Sequence, residues 1–205
     1  MGTILDSKEQ KWLEKACSKD KSRIILSKPI PGMGVSVATD GHRAHISGCF
    51  DDGAEPFPEG APNFSVFWKD CVSITTDIVL SPETVESLIR TLKVMTGYKS
   101  LVKKSPKDAV IAVTSIHEDY IYTETFDSEC SSEICDGVYW DEECDSYSEP
   151  IHFNSKFLLD ALVGVYSKGD PVSLVQYDDK PFVYITGVHG RMAILAPRNA
   201  GFKSE

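Results

Sequence analysis

A chain of 205 residues with 41% apolar and 10% aromatic content can bury one generous core or two small ones, and no run nears the roughly 18 uninterrupted apolar residues that a membrane-spanning helix needs. The formal charge of −10 argues against a uniformly nucleic-acid-binding surface, but the charge is concentrated. Twelve of the 31 acidic residues fall between His117 and Glu149, a stretch without Lys or Arg, which leaves 19 acids against 21 bases elsewhere.

Asp6 or Ser7 can cap a helix starting near Lys8, whose apolar stripe is Trp12, Leu13, Ala16 and Cys17. Its other side carries Lys8, Lys11, Lys15 and Lys19 at spacings of three and four, a basic stripe that also suits a merely solvated surface. Arg23–Ile30 and Val35–Thr39 read as strands, and Asp40-Gly41 turns the chain into a return strand His42–Ser47. Pro56, Pro58 and Pro62 with Gly53 and Gly60 make Asp51–Asn63 a loop, after which Phe64–Trp68 and Cys71–Leu80 resume strand chemistry. Ser81-Pro82-Glu83-Thr84 starts a second helix with Val85, Leu88, Ile89 and Leu92 on its apolar face and Gly97 at its end. Asp108–Ile116 and Tyr120–Phe126 form a strand pair. Asp127–Glu149 is acidic, Ser- and Cys-rich and poor in aliphatic residues, so it reads as a flexible loop outside the core whose removal is tolerated. The strand Ile151–Phe153, a cap at Asn154 or Ser155, a third helix bearing Phe157, Leu158, Ala161, Leu162 and Val165, and strands Val172–Tyr177, Phe182–Thr186 and Arg191–Leu195 complete the chain.

A cap, a helix and two or three strands thus recur three times, about 70 residues apart. The fold class expected is α+β, with repeated helix-plus-antiparallel-strand units forming sheets that carry helices on one face. Residues 1–126 read as one domain of two repeats, 127–149 as the acidic loop and 150–205 as the third repeat.

Catalytic signatures are missing: there is no phosphate-cradling Gly-rich loop, no GxSxG elbow and no HExxH, so the chain reads as a non-enzyme without a cofactor. Cys130, Cys135, Cys144 and His152 could supply zinc ligands, but no cysteine pair shows CxxC spacing, and no metal is expected. Met1–Gln10 has no basic segment followed by an apolar run, so a reducing cytoplasmic setting and free thiols are expected.

Val37-Ala38-Thr39-Asp40-Gly41-His42-Arg43-Ala44 resembles the Ala-Thr-Asp-Gly-His-Arg-Leu hairpin in the middle domain of the bacterial replicative sliding clamp, the β subunit of the replicative DNA polymerase. Val79-Leu80-Ser81-Pro82 leading into Val85–Arg90 is similar to the second helix of that domain. Phe153-Asn154-Ser155-Lys156-Phe157-Leu158-Leu159-Asp160-Ala161-Leu162 resembles the Phe-Asn-x-x-Tyr-Leu-Leu-Asp-Ala-Leu helix start of the clamp's last domain, and Ile194–Arg198 is similar to its C-terminal strand. These segments follow the family's order. Three repeats stand where a clamp chain has six, and Ala44 stands where the family has Leu.

The resemblance implies a DNA-clamp-like fold and a processivity factor that performs no bond chemistry but holds a polymerase on double-stranded DNA without reading sequence. It implies DNA binding by Lys8, Lys11, Lys15, Lys19, Lys21, Arg23, Arg90 and Lys93. Docking of DNA polymerase and clamp-loader peptides would fall to Thr39, Gly41, His42, Arg43 and Ala44, with Ile194, Ala196 and Pro197 opposite. Self-association is implied as well, since family rings hold twelve repeats and three per chain would need four copies. The reduced length suits a phage or mobile-element gene. The alternative is a clamp-fold regulator or decoy that binds replication proteins without encircling DNA.

Overall fold

A computed structural model describes residues 6–68, 73–97, 112–117, 120–125, 131–140, 150–178, 180–187 and 190–197. Helix α1 (Ser7–Glu14) is capped by Asp6, whose carboxylate accepts from the amides of Lys8 and Glu9 at 2.7 and 2.8 Å. Strands β1 (Ile30–Gly32), β2 (Val35–Thr39) and β3 (Arg43–Gly48) follow as a meander. The strand expected over 23–30 is instead a 3-10 turn at Ile24–Ser27 and the short β1. Met33 and Gly34 both take positive φ, so β1 and β2 join in a two-residue turn of the type that matches strand twist. Phe64–Phe67 is likewise a 3-10 turn, not a strand, with the Asn63 side chain at its start.

The second unit is β4 (Ile74–Leu80), α2 (Pro82–Gly97), β5 (Ala112–Ile116), β6 (Ile121–Thr125) and β7 (Ser131–Ile134). The third is β9 (Ile151–Asn154), α3 (Ser155–Val165), β10 (Val172–Tyr177), β11 (Val183–Thr186) and β12 (Arg191–Leu195), with β8 (Val138–Trp140) lying between the two units. The two exchange their first strands: β4 pairs antiparallel with β10, and β9 with β5. Each helix then packs on the last two strands of its own unit, α2 on β6 and β7, α3 on β11 and β12. The first unit repeats that relation, with α1 on β2 and β3, and joins the others by pairing β3 with β12.

An eight-stranded sheet, β1-β2-β3-β12-β11-β10-β4-β8, and a four-stranded one, β7-β6-β5-β9, result. The helices line both sheets: α1 packs on the eight-stranded sheet, α2 on the four-stranded one and α3 on both, with α3 touching α1 and α2. The main core, with Leu13, Leu88, Leu92, Phe153, Leu158, Leu162 and Leu174, lies there. Among the described residues no helix is long and apolar enough to cross a membrane.

β7 and β8 fall inside the acidic stretch, and Ile134 and Val138 pack against the main core. β7 pairs with β6, β8 with β4 and β9 with β5, so strands on both sides of the acidic stretch are laddered together. Residues 127–130 and 141–149 lie outside the described residues.

Candidate functional site

On α1, burial of Trp12 and Leu13 turns Lys8, Lys11 and Lys15 to solvent, and Lys19 and Lys21 are exposed just beyond it. Arg23 is half exposed, 3.8 Å from the Asp20 carboxylate, and donates to the Asp40 carbonyl at 3.2 Å. Arg90 and Lys93 are exposed on α2 beside a shallow groove of about 370 Å³ shared with Val163 and Tyr166 of α3. Glu86 also lines it and accepts from the Tyr166 hydroxyl at 3.0 Å. The expected basic residues thus fall on α1, on the segment just after it and on α2, all exposed to solvent.

Four of those cations differ in how freely they act. Lys15 lies 3.3 Å from Asp160, a carboxylate only 3% exposed that also takes Lys156 at 2.8 Å and Arg43 at 2.9 Å. Burial alone would raise the Asp160 pKa; the hydrogen bonds from Lys156 and Arg43 outweigh it and hold the group below its ordinary value. Lys15 is thus partly neutralised, while no ion pair is described for Lys8, Lys11 or Lys93.

The Asp40–Arg43 hairpin tip is locally determined. Asp40 accepts from the amides of His42 and Arg43, and the Thr39 hydroxyl bridges Gly41 N and Arg43 O. Strand alternation then splits the expected docking residues between two faces. Arg43 points to the helix side, bonded to Asp40, Asp160 and the Lys15 carbonyl and stacked 4.2 Å over the Phe157 ring. His45 does the same, lying flat on Trp12 with its Nδ1 2.8 Å from the Trp12 carbonyl. Thr39, Ala44 and Ile194 face the outer side, in register across three adjacent strands. His42 is exposed, its carbonyl accepting from Ala196 N at 3.0 Å, and Ala196 and Pro197 are half-buried.

Ala44 and Ile194 are each 1% exposed because a second core covers them. It joins Ile30, Val35, Val37, Ile46 and Tyr184 of the outer face to Phe57, Phe64, Phe67 and Trp68 of the Pro-rich stretch. The sequence reads there as a loop followed by a strand; four aromatics within twelve residues were the signal that the stretch covers an apolar face. Of the zinc candidates, Cys130 and Cys144 lie outside the described residues, Cys135 is exposed, and His152 Nδ1 lies 2.7 Å from the Ser115 hydroxyl.

No family model matches this sequence and no curated protein does. Solved structures do. DNA polymerase III subunit beta from Borrelia burgdorferi aligns with a TM-score of 0.67 at 12% identity, over 94% of this chain and 62% of that one. The beta subunit from Thermotoga maritima aligns at 0.63 and 14%, over 95% and 64%, and the sliding clamp from Bacillus subtilis at 0.61 and 12%, over 94% and 62%. The chain has the sliding-clamp fold in shortened form, spanning under two thirds of these clamps' length.

Proposed function

We propose that this shortened clamp-fold chain is a non-enzymatic processivity module that holds duplex DNA against its helices, encircling it after self-association, and docks polymerase and clamp-loader peptides near the hairpin. The observation that supports this is the exposure of Lys8, Lys11 and Lys15 along α1, of Lys19 just beyond it, and of Arg90 and Lys93 on α2, while twelve of the 31 acidic residues crowd the stretch between His117 and Glu149. Long, exposed cations of this kind neutralise phosphates without reading bases, and the contacts exchange as a ring slides. Replacing Lys8, Lys11 and Lys15 with Glu is expected to lower retention on circular duplex DNA at least tenfold with an unchanged circular dichroism spectrum. Retention by the unaltered chain falls steeply between 50 and 200 mM salt, as counterion release requires. Salt-independent retention, or a silent triple reversal, would count against DNA binding by this face.

The second reading, a clamp-fold regulator or decoy that binds replication proteins without encircling DNA, is favoured by the acidic stretch between His117 and Glu149, whose charge can mimic or repel nucleic acid. Sedimentation equilibrium separates the two, because a strict monomer at tens of micromolar encircles nothing.

A further inference from the structure

We propose that residues 50–68 are a displaceable strap, a built-in occupant of the outer sheet face that must lift before an apolar peptide from a partner can reach Ala44 and Ile194. This rests on the docking reading for what enters, and on the geometry of this chain for what blocks it.

The strap forms no strand. Its backbone meets the sheet through two hydrogen bonds at its near end, Met33 N to Glu55 O at 2.6 Å and Asp51 N to Met33 O at 3.0 Å. Its other described backbone bonds are local: Ala54 to Asp51, Ala61 to Pro58 and Trp68 to Ser65. Side chains provide the remaining attachment. Phe67 meets Phe182 edge-on at 5.8 Å, while within the strap Phe57 lies T-shaped on Phe64 at 4.8 Å and Trp68 lies 4.1 Å from Phe50. Phe57 sits so close to Gly32 that a Cβ there would approach its ring to 2.6 Å, a fit that only a glycine at the end of β1 permits.

The sheet beneath does not need the strap for its own architecture. Its strands are laddered to one another, and its opposite face carries the separate main core. The outer cluster is thus a cooperative unit of its own, able to open with the rest folded. Opening would uncover Ile30, Val37, Ala44, Ile46, Tyr184 and Ile194, a continuous apolar strip across five strands. The small Ala44 side chain leaves room above the hairpin for the strap aromatics that share its cluster.

The test uses the full chain and a fluorescein-labelled synthetic peptide of its residues 56–68. The double variant Phe57→Ala with Phe64→Ala loosens the strap, and a protease site inserted between Asp52 and Gly53, cut after folding, frees one end without touching a sheet residue. Expected is peptide binding at least tenfold tighter to either altered form than to the intact chain, and amide exchange at least tenfold faster in 50–68 than in β3 and β12. Equal binding to intact and altered forms, or none to a nicked chain with unchanged circular dichroism, overturns the strap. Since no partner protein or DNA enters the assay, failure of the processivity reading leaves its outcome intact. Conversely, a strap that behaves as proposed in a chain deaf to polymerase peptides would refute the docking reading alone.

Discussion

The His45 imidazole lies 4.5 Å from the Trp12 indole with the rings 11° from parallel, Nδ1 on the Trp12 carbonyl and Nε2 buried without a partner. Burial outweighs the hydrogen bond and lowers its pKa to about 4, with the Arg43 and Lys15 charges lowering it further and Asp160 opposing. Above pH 6.5 folded and unfolded chains both hold a neutral imidazole, so His45 is silent there. Between 6.5 and about 4 the unfolded chain takes the proton that the folded one refuses, and stability falls as pH falls. Urea unfolding at pH 7 and pH 5 is expected to differ by about 2 kcal/mol from this residue, and His45→Phe to remove most of that difference. Asp160 does not confound the window: its depressed pKa adds stability at neutral pH that is lost only on acidification below 3.8. An unaltered slope in His45→Phe would mean that another group carries it.

Helix α3 owes its seat to Gly164. The Trp12 indole abuts it while donating to the Asp160 carbonyl at 2.9 Å, and a Cβ at 164 would fall 1.9 Å from Trp12 Nε1. Gly164→Ala should therefore destabilise by about 2 kcal/mol despite alanine's better helix propensity, whereas Gly97→Ala on α2, where nothing lies within 4 Å, should be neutral or stabilising. Denaturant midpoints of the two variants check this pair. All three helices were legible in the sequence, because Asp6, Ser81 and Asn154 are caps whose side chains announce them and the apolar spacing does the rest. The β2–β3 turn was equally legible from Asp40-Gly41. β1 was not, since Pro31 and Gly32 argue against a strand and only the Met33-Gly34 turn makes one. Nor was Asp160, which reads as an ordinary helix-surface acid until α1 and the hairpin close over it. The exposure of Lys8, Lys11 and Lys15 opposite Trp12 and Leu13 was legible from helical spacing, but which hairpin side chains share a face needed the sheet register.

Across the whole molecule, the acidic stretch fastens the second unit. The Asp136 carbonyl accepts from the Thr84 hydroxyl at 2.7 Å and the Gly137 carbonyl from Ser81 N at 2.9 Å, so the β7–β8 turn holds the start of α2. Gly137 adopts φ +76°, and a Cβ there would strike Thr84 Oγ1 at 2.1 Å. Deleting residues 129–146, which composition alone marks as tolerable, is now expected to cost about 4 kcal/mol from the lost Ile134 and Val138 packing, roughly 10 °C in Tm, readable by calorimetry. An unchanged Tm would return the stretch to the status of a bystander. The β3–β12 seam carries a different consequence, in time. The first unit's last strand finds its neighbour only when Arg191–Leu195 has been made, roughly 145 residues later, and at 5–20 residues per second a ribosome needs on the order of 10–30 s to supply it. Until then one edge of β3 stays unpaired, and Trp12 lacks the α3 surface it rests on. Nascent chains stalled before Arg191 should be cut by protease within the first unit, and those released after Pro197 should resist, so this fold is completed from its far end.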